Sequence, residues 1–109
     1  MSVIPMNARV APDQRQLADF CRRWKIVELA LFGSVLRDDF RPDSDVDVLV
    51  TFSPDAEWTL LDHASMQQEL SEIFHRRVDL LSRRGVERSH NPLRRQAILS
   101  SAQPYYVAG

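Results

Sequence analysis

A short apolar run broken by Gly-Ser, then a second run opening on alternating aspartates ten residues later, constrains this chain more than any other feature. Leu29-Ala-Leu-Phe32 reads as a buried strand, and Gly33-Ser34 ends it. Where a strand turns into a helix, the first helical N–H groups have no partner within the helix, and such a start attracts phosphate. With ten residues between it and Ser34, Asp45-Val46-Asp47 lies in a run from Ser44 to Phe52 that alternates with period two. Asp45, Asp47 and Leu49 share one face, and Val46, Val48, Val50 and Phe52 share the other. The carboxylates therefore project together, into a cleft or into water.

Same-face neighbours on a strand stand roughly 6–7 Å apart at the backbone. Their side chains can lean together around a pair of divalent ions, which two-metal sites hold about 3.5–4 Å apart. Without metal, two close carboxylates repel. Hard oxygen ligands on so short a span suit magnesium, with manganese as the alternative, rather than zinc. An isolated Asp-X-Asp would be read as the solvated face of an edge strand. The Gly-Ser turn after one strand and the aspartates on the next supply the context that favours a site.

Leu31-Phe-Gly-Ser-Val-Leu-Arg37, followed by Asp43-Ser-Asp-Val-Asp-Val-Leu-Val50, resembles the minimal nucleotidyltransferase (MNT) domain of the polymerase-β-like superfamily. That pattern is Gly-Ser, ten residues, Asp-X-Asp, with a third Asp on a later strand. Arg76-Arg-Val-Asp-Leu-Leu81 supplies Asp79 in a strand-like run. The resemblance spans about Leu29 to Leu81. It departs at Asp38, where relatives often have Gly after the arginine, and this adds a negative charge near the expected triphosphate. The fold implied is the polymerase-β-like nucleotidyltransferase fold, an α/β (α+β) domain with a small mixed sheet and flanking helices.

The resemblance also implies a chemistry. A nucleoside triphosphate, expected to be ATP, gives its NMP group to an acceptor hydroxyl and releases pyrophosphate. Gly33 and Ser34 would hold phosphate, and Arg37 would steady one or pair instead with Asp38 or Asp39. Asp45 and Asp47 would bind two Mg²⁺ ions (Mn²⁺ as an alternative). Asp79 would complete the catalytic metal's shell and help deprotonate the acceptor. Small stand-alone MNT proteins resemble antitoxins paired with HEPN-type ribonuclease toxins, and the family implies adenylylation of a tyrosine on the toxin. Two rival readings remain at this stage: a non-catalytic antitoxin or nucleotide-binding module acting by contact, and transfer to a small molecule.

The 109 residues, 44% of them hydrophobic, suffice for one modest core. We expect residues 1–10 to form a flexible leader and 11–109 a single domain. No apolar run approaches the roughly 20 residues of a membrane span. The single cysteine, Cys21, fits a reducing, cytoplasmic address. The net charge of −1 hides an asymmetry: residues 1–74 carry 7 basic and 13 acidic side chains, residues 75–109 carry 7 and 2. Arg76, Arg77, Arg83, Arg84, Arg88, Arg94 and Arg95 make that last third a candidate surface for an anionic or acidic partner, or a solvated face laced with salt bridges. Aromatics are not interleaved with these arginines, which argues against nucleic-acid binding as the primary role.

The element order reads helix–strand–turn–strand–helix–strand–helix. Asp13 and Gln16 resemble a capping box, with Leu17, Phe20, Cys21 and Trp24 on one apolar helix face. A strand from Lys25 to Phe32 and another from Ser44 to Phe52 follow. The next helix should run from about Trp58 to Phe74, with Leu60, Ala64, Leu70, Ile73 and Phe74 near one stripe and Asp62, Gln67, Gln68, Glu69 and Glu72 mostly outside it. A third strand covers Val78 to Leu81. Asn91-Pro92 is a strong start for a last helix to about Ser101. Tyr105 and Tyr106 are expected to anchor the tail, with self-modification as the alternative.

Overall fold

The computed structural model describes residues 12–33 and 45–108; the leader 1–10 lies outside them, as do Ser34, Arg37 and Asp38. Helix α1 (Gln14–Arg23) starts on Asp13, whose carboxylate accepts from the N–H groups of Arg15 and Gln16 at 2.9 and 3.0 Å. Leu17, Phe20 and Cys21 are buried as the periodicity requires. Burial pushes the Cys21 thiol up to about 12, so it packs as a neutral apolar group. Trp24 closes the helix half-buried, with its ring edge-on to Trp58 at 5.1 Å.

Strands β1 (Ile26–Phe32) and β2 (Val46–Phe52) pair antiparallel, and helix α2 (Leu60–Phe74) crosses to β3 (Val78–Ser82), which lies parallel to β2. A short helix α3 (Arg83–Glu87), helix α4 (Pro92–Ser101) and strand β4 (Gln103–Val107) complete the order. β4 returns antiparallel to the free side of β1. The four-stranded mixed sheet runs β3-β2-β1-β4.

Strand alternation sorts the apolar residues onto two faces. Leu29, Leu31, Val46, Val48, Val50, Val78 and Leu80 pack with α1 and α2. Ala30, Phe32 and Leu49 pack on the opposite face with Val86 of α3 and Ile98 of α4. Leu49 thus shares its face with Asp47, as the alternation demands, but is buried. The second face is covered by α3 and α4 at that level.

Three features depart from the sequence reading. Helix α2 begins at Leu60, with Thr59 and Asp62 forming a reciprocal capping box: Asp62 N–H donates to Thr59 Oγ1 at 3.1 Å and Thr59 N–H to Asp62 Oδ2 at 2.9 Å. Its buried stripe is Met66, Leu70, Ile73 and Phe74, whereas Leu60 is 86% exposed and Ala64 is also exposed. A different set of α2 side chains, His63, Gln67 and Ser71, reaches the backbone of β3. Finally, α3 and β4 were not anticipated. In β4 the register skips from Leu29↔Tyr106 to Ala30↔Pro104, leaving Tyr105 as an inserted residue. A bulge of this kind lets both tyrosines enter the same core, where they are 3% and 8% exposed. They anchor the tail; both are poorly placed as acceptors.

Candidate functional site

Asp47 and Asp79 stand on one face of the sheet at one end of its parallel pair, with Asp45 just ahead of β2. Asp47 is in β2, and Asp45 precedes the strand, two residues ahead of it. Asp79 is the register partner of Asp47 on β3, which places their backbones about 4.8 Å apart. On its other side Asp47 pairs with Phe32, the last residue of β1. Three separated segments therefore converge here: the end of β1 with Gly33, the start of β2, and the start of β3. Val46 N–H donates to Arg77 O at 2.9 Å, which pins the start of β2 to the entry of β3.

Gly33 is required by its surroundings. Its φ is +77°, a left-handed conformation that glycine adopts without steric cost. A Cβ there would overlap Asp47 Oδ2 and lie 3.2 Å from Asp47 Cγ. The carboxylate of Asp47 therefore rests directly against the backbone at the turn where the sequence pattern expects phosphate.

Exposure grades across the three carboxylates: Asp47 is half-buried, Asp45 and Asp79 are exposed. Their oxygens form a hard donor set suited to Mg²⁺ or Mn²⁺. Among the described residues, no three acidic, histidine or cysteine side chains are drawn to metal-ligand distance. Ser34 and Arg37, expected to hold phosphate, lie outside the described residues, so the structure brings together Gly33, Asp45, Asp47 and Asp79 from the expected set.

A cavity of about 500 Å³ lies between α3, α4 and β3, with Leu81, Val86, Ile98, His90, Arg94 and Arg95 in its wall. Leu81 is two residues along β3 from Asp79 and on the same face, so this space lies on the carboxylates' side of the sheet. Another cavity, of about 510 Å³, lies by Thr51, Phe52, Trp58 and Arg83. Thr51 is roughly 13 Å along β2 from Asp47, which separates that cavity from the carboxylates. Arg83 has a structural occupation there: its Nε donates to Thr51 Oγ1 at 3.0 Å, and its Nη2 stands 3.8 Å from Glu28 Oε2. Arg95 donates to Ser89 O at 2.9 Å. Part of the basic last third thus holds the fold together.

The family model described as "Nucleotidyltransferase domain" matches residues 14–105. The chain belongs to that family. It is a nucleotidyltransferase of the MNT type, with the polymerase-β-like fold. Among curated relatives, two candidate protein adenylyltransferases of Methanocaldococcus jannaschii are each 28% identical to it. One match covers 70% of this chain and 73% of the relative, the other 82% and 89%. A solved structure described as a candidate minimal nucleotidyltransferase is 39% identical, with a TM-score of 0.61, covering 83% of this chain and 88% of that one. A toxin–antitoxin crystal structure with AMP-PNP has a TM-score of 0.66 at 18% identity, covering 88% and 74%. A complex of a tri-AMPylated Shewanella oneidensis HEPN toxin with an MNT antitoxin has a TM-score of 0.58 at 19% identity, covering 86% and 69%. At those last two identities the likeness shows the fold alone.

Proposed function

We propose that this nucleotidyltransferase transfers AMP from ATP to a hydroxyl, a tyrosine in our reading, of a partner HEPN-family toxin, and acts as the antitoxin of the pair in the cytoplasm. The observation that carries the chemistry is Asp79 in register beside Asp47, whose carboxylate packs on Gly33. The acceptor class rests on the relatives: curated ones named as protein adenylyltransferases, and a similarly folded antitoxin solved with an AMPylated HEPN toxin. Residues 11–109 act as one domain in this reading. No helix among the described residues is long and apolar enough to cross a membrane.

In the mechanism, the turn at Gly33-Ser34 receives the β and γ phosphates on its amides and the Ser34 hydroxyl, and Arg37 steadies a phosphate. Asp45 and Asp47 would hold both divalent ions, with Asp79 completing the shell of one. Bound there, the ions would offset charge on the attacking and leaving oxygens. Asp79, exposed at the sheet edge, takes the proton of the acceptor hydroxyl. The acceptor oxygen then bonds to the α-phosphorus as the bond to the bridging oxygen breaks, and pyrophosphate leaves. Asp45 and Asp47 take no part in the proton transfer in this scheme; they hold the geometry.

The test is label transfer in the presence of the co-expressed partner, Mg²⁺ and ATP labelled at the α-phosphate, with γ-labelled ATP as control. A partner band labelled only from the α position, and lost with Asp47→Asn or Asp79→Asn while both variants stay folded, is the expected result. Chelation by EDTA should abolish the label. Label on a small molecule would move the acceptor. Binding and neutralisation of the partner with no label, unaffected by loss of the carboxylates, would make the protein a contact antitoxin and overturn the catalytic reading.

A further inference from the structure

Strand β3 is an edge strand, and the outer hydrogen-bonding positions on both sides of Asp79 are taken by side chains of α2. Leu80 N–H donates to Gln67 Oε1 at 3.0 Å. Val78 N–H donates to Ser71 Oγ at 3.0 Å, and the Ser71 hydroxyl in turn donates to Gln67 O at 2.8 Å. His63 Nε2 lies 2.9 Å from Leu80 O; since a carbonyl only accepts, Nε2 carries the hydrogen. His63, Gln67 and Ser71 follow each other at i, i+4 and i+8, so they form one ridge on the helix. All three bonds are partly buried, which raises their worth over exposed ones.

The placement of these bonds is specific. A strand turns alternate residues outward, so fixing the amides of Val78 and Leu80 on the outer side leaves the peptide groups of Asp79 facing β2. Asp79 is thereby bracketed, one residue before and one after. A lone edge strand can slide or twist in its register, and a one-residue slip would send Asp79 to the opposite face. The apolar contacts of Val78 and Leu80 with α2 resist such a slip without fixing the strand's fine position, because apolar packing has no direction. Directional bonds fix it.

We infer that Gln67, supported by Ser71 and His63, is a positioning residue for Asp79: α2 clamps the outer edge of β3 so that the third carboxylate stays opposite Asp47. This rests on the reading of Asp79 as part of the transfer site. Gln67 acts through the backbone and touches neither nucleotide nor acceptor. A displacement of about 1 Å at a reacting group, caused by a change remote from the chemistry, can cost about 100-fold in rate.

The experiment compares Gln67→Leu, which keeps shape and removes the acceptor oxygen, with Gln67→Glu, which keeps an oxygen facing Leu80 N–H. Ser71→Ala is a second probe that spares Gln67 should Gln67→Leu fail to fold. Amide hydrogen exchange of Leu80 and Val78 is followed in the protein without ATP, and kcat, the KM for ATP and the Mg²⁺ concentration for half-maximal transfer are measured on the partner. In Gln67→Leu we expect faster Leu80 exchange, a kcat lower by about tenfold, a higher Mg²⁺ requirement and an unchanged KM for ATP. Gln67→Glu should recover most of the rate. In Ser71→Ala we expect faster Val78 exchange and a smaller loss in kcat.

Wild-type Leu80 exchange, or wild-type kcat and Mg²⁺ requirement, in a folded Gln67→Leu protein would overturn the inference. So would a parallel fall of kcat, ATP affinity and thermal stability that Gln67→Glu does not restore, since that marks general destabilisation. The Asp79→Asn variant separates the two layers. Inactive Asp79→Asn beside fully active Gln67→Leu removes the clamp and leaves the transfer site standing; active Asp79→Asn removes both.

Discussion

Replacing Gly33 by alanine should separate two costs that the structure places at one atom. The first is backbone strain: φ is +77°, and a left-handed conformation costs an L-residue about 1–2 kcal/mol. The second is steric. The new Cβ would overlap Asp47 Oδ2, and because that oxygen ends a flexible side chain, the carboxylate can swing aside by an off-rotamer displacement costing about 0.5–1.5 kcal/mol. Gly33→Ala should therefore lose about 1.5–3.5 kcal/mol in urea unfolding, the sum of those two ranges. In an Asp47→Ala background the oxygen is gone, and the cost of Gly33→Ala should shrink to the backbone part alone. A coupling energy of about 0.5–1.5 kcal/mol between the two positions is the signature, read from midpoints at constant m-value. Transfer activity should fall much further than stability, because the displaced carboxylate leaves its place beside Asp79. Equal costs in both backgrounds would refute the contact, and an unaltered midpoint for Gly33→Ala would refute the left-handed turn itself.

Thr59→Ala removes one half of the reciprocal cap of α2 and should cost about 1 kcal/mol, seen as a fall of roughly 4–8 °C in Tm. Glu69 is held below the usual carboxylate range, first by its hydrogen bond with Arg23 and then by that from Trp24 Nε1–H. A carboxyl depressed in the folded state stabilises above its unfolded value, about 4.3, and the benefit is lost as pH falls through the lower folded value. Glu69→Gln should thus flatten the acid limb of stability below about pH 4, by less than about 1 kcal/mol because solvent screens the pair. The Cys21 thiol, raised to about 12 and buried, should react with a thiol reagent only as fast as the chain unfolds globally. Rapid modification of the native protein would contradict its burial.

Much of the site could be read along the chain because its elements announce themselves locally. The alternation along Val46 to Phe52 placed Asp47 on the face opposite Val46 and Val48, and Asn91-Pro92 marked the start of α4 where it stands. What stayed hidden depended on partners remote in sequence. Helix α3 is five residues with Gly85 inside it, too short for a period to show. Strand β4 carries Pro104 and adjacent buried tyrosines, and its bulge erases the two-residue rhythm by which strands are recognised. In α2 Leu60 misled, since it faces solvent while the polar Gln67 is turned inward. A hydrophobic stripe registers the apolar face of a helix; it is blind to side chains whose task is to satisfy another strand's backbone.

The Gln67 and Ser71 bonds to β3 also restrict how anything can approach Asp79. A peptide arriving along the outer side of that strand meets amides at Val78 and Leu80 already engaged. It cannot lengthen the sheet there by adding its own backbone. In the proposed reaction an acceptor would therefore reach Asp79 as a side chain rather than as a strand added along the outer edge of β3.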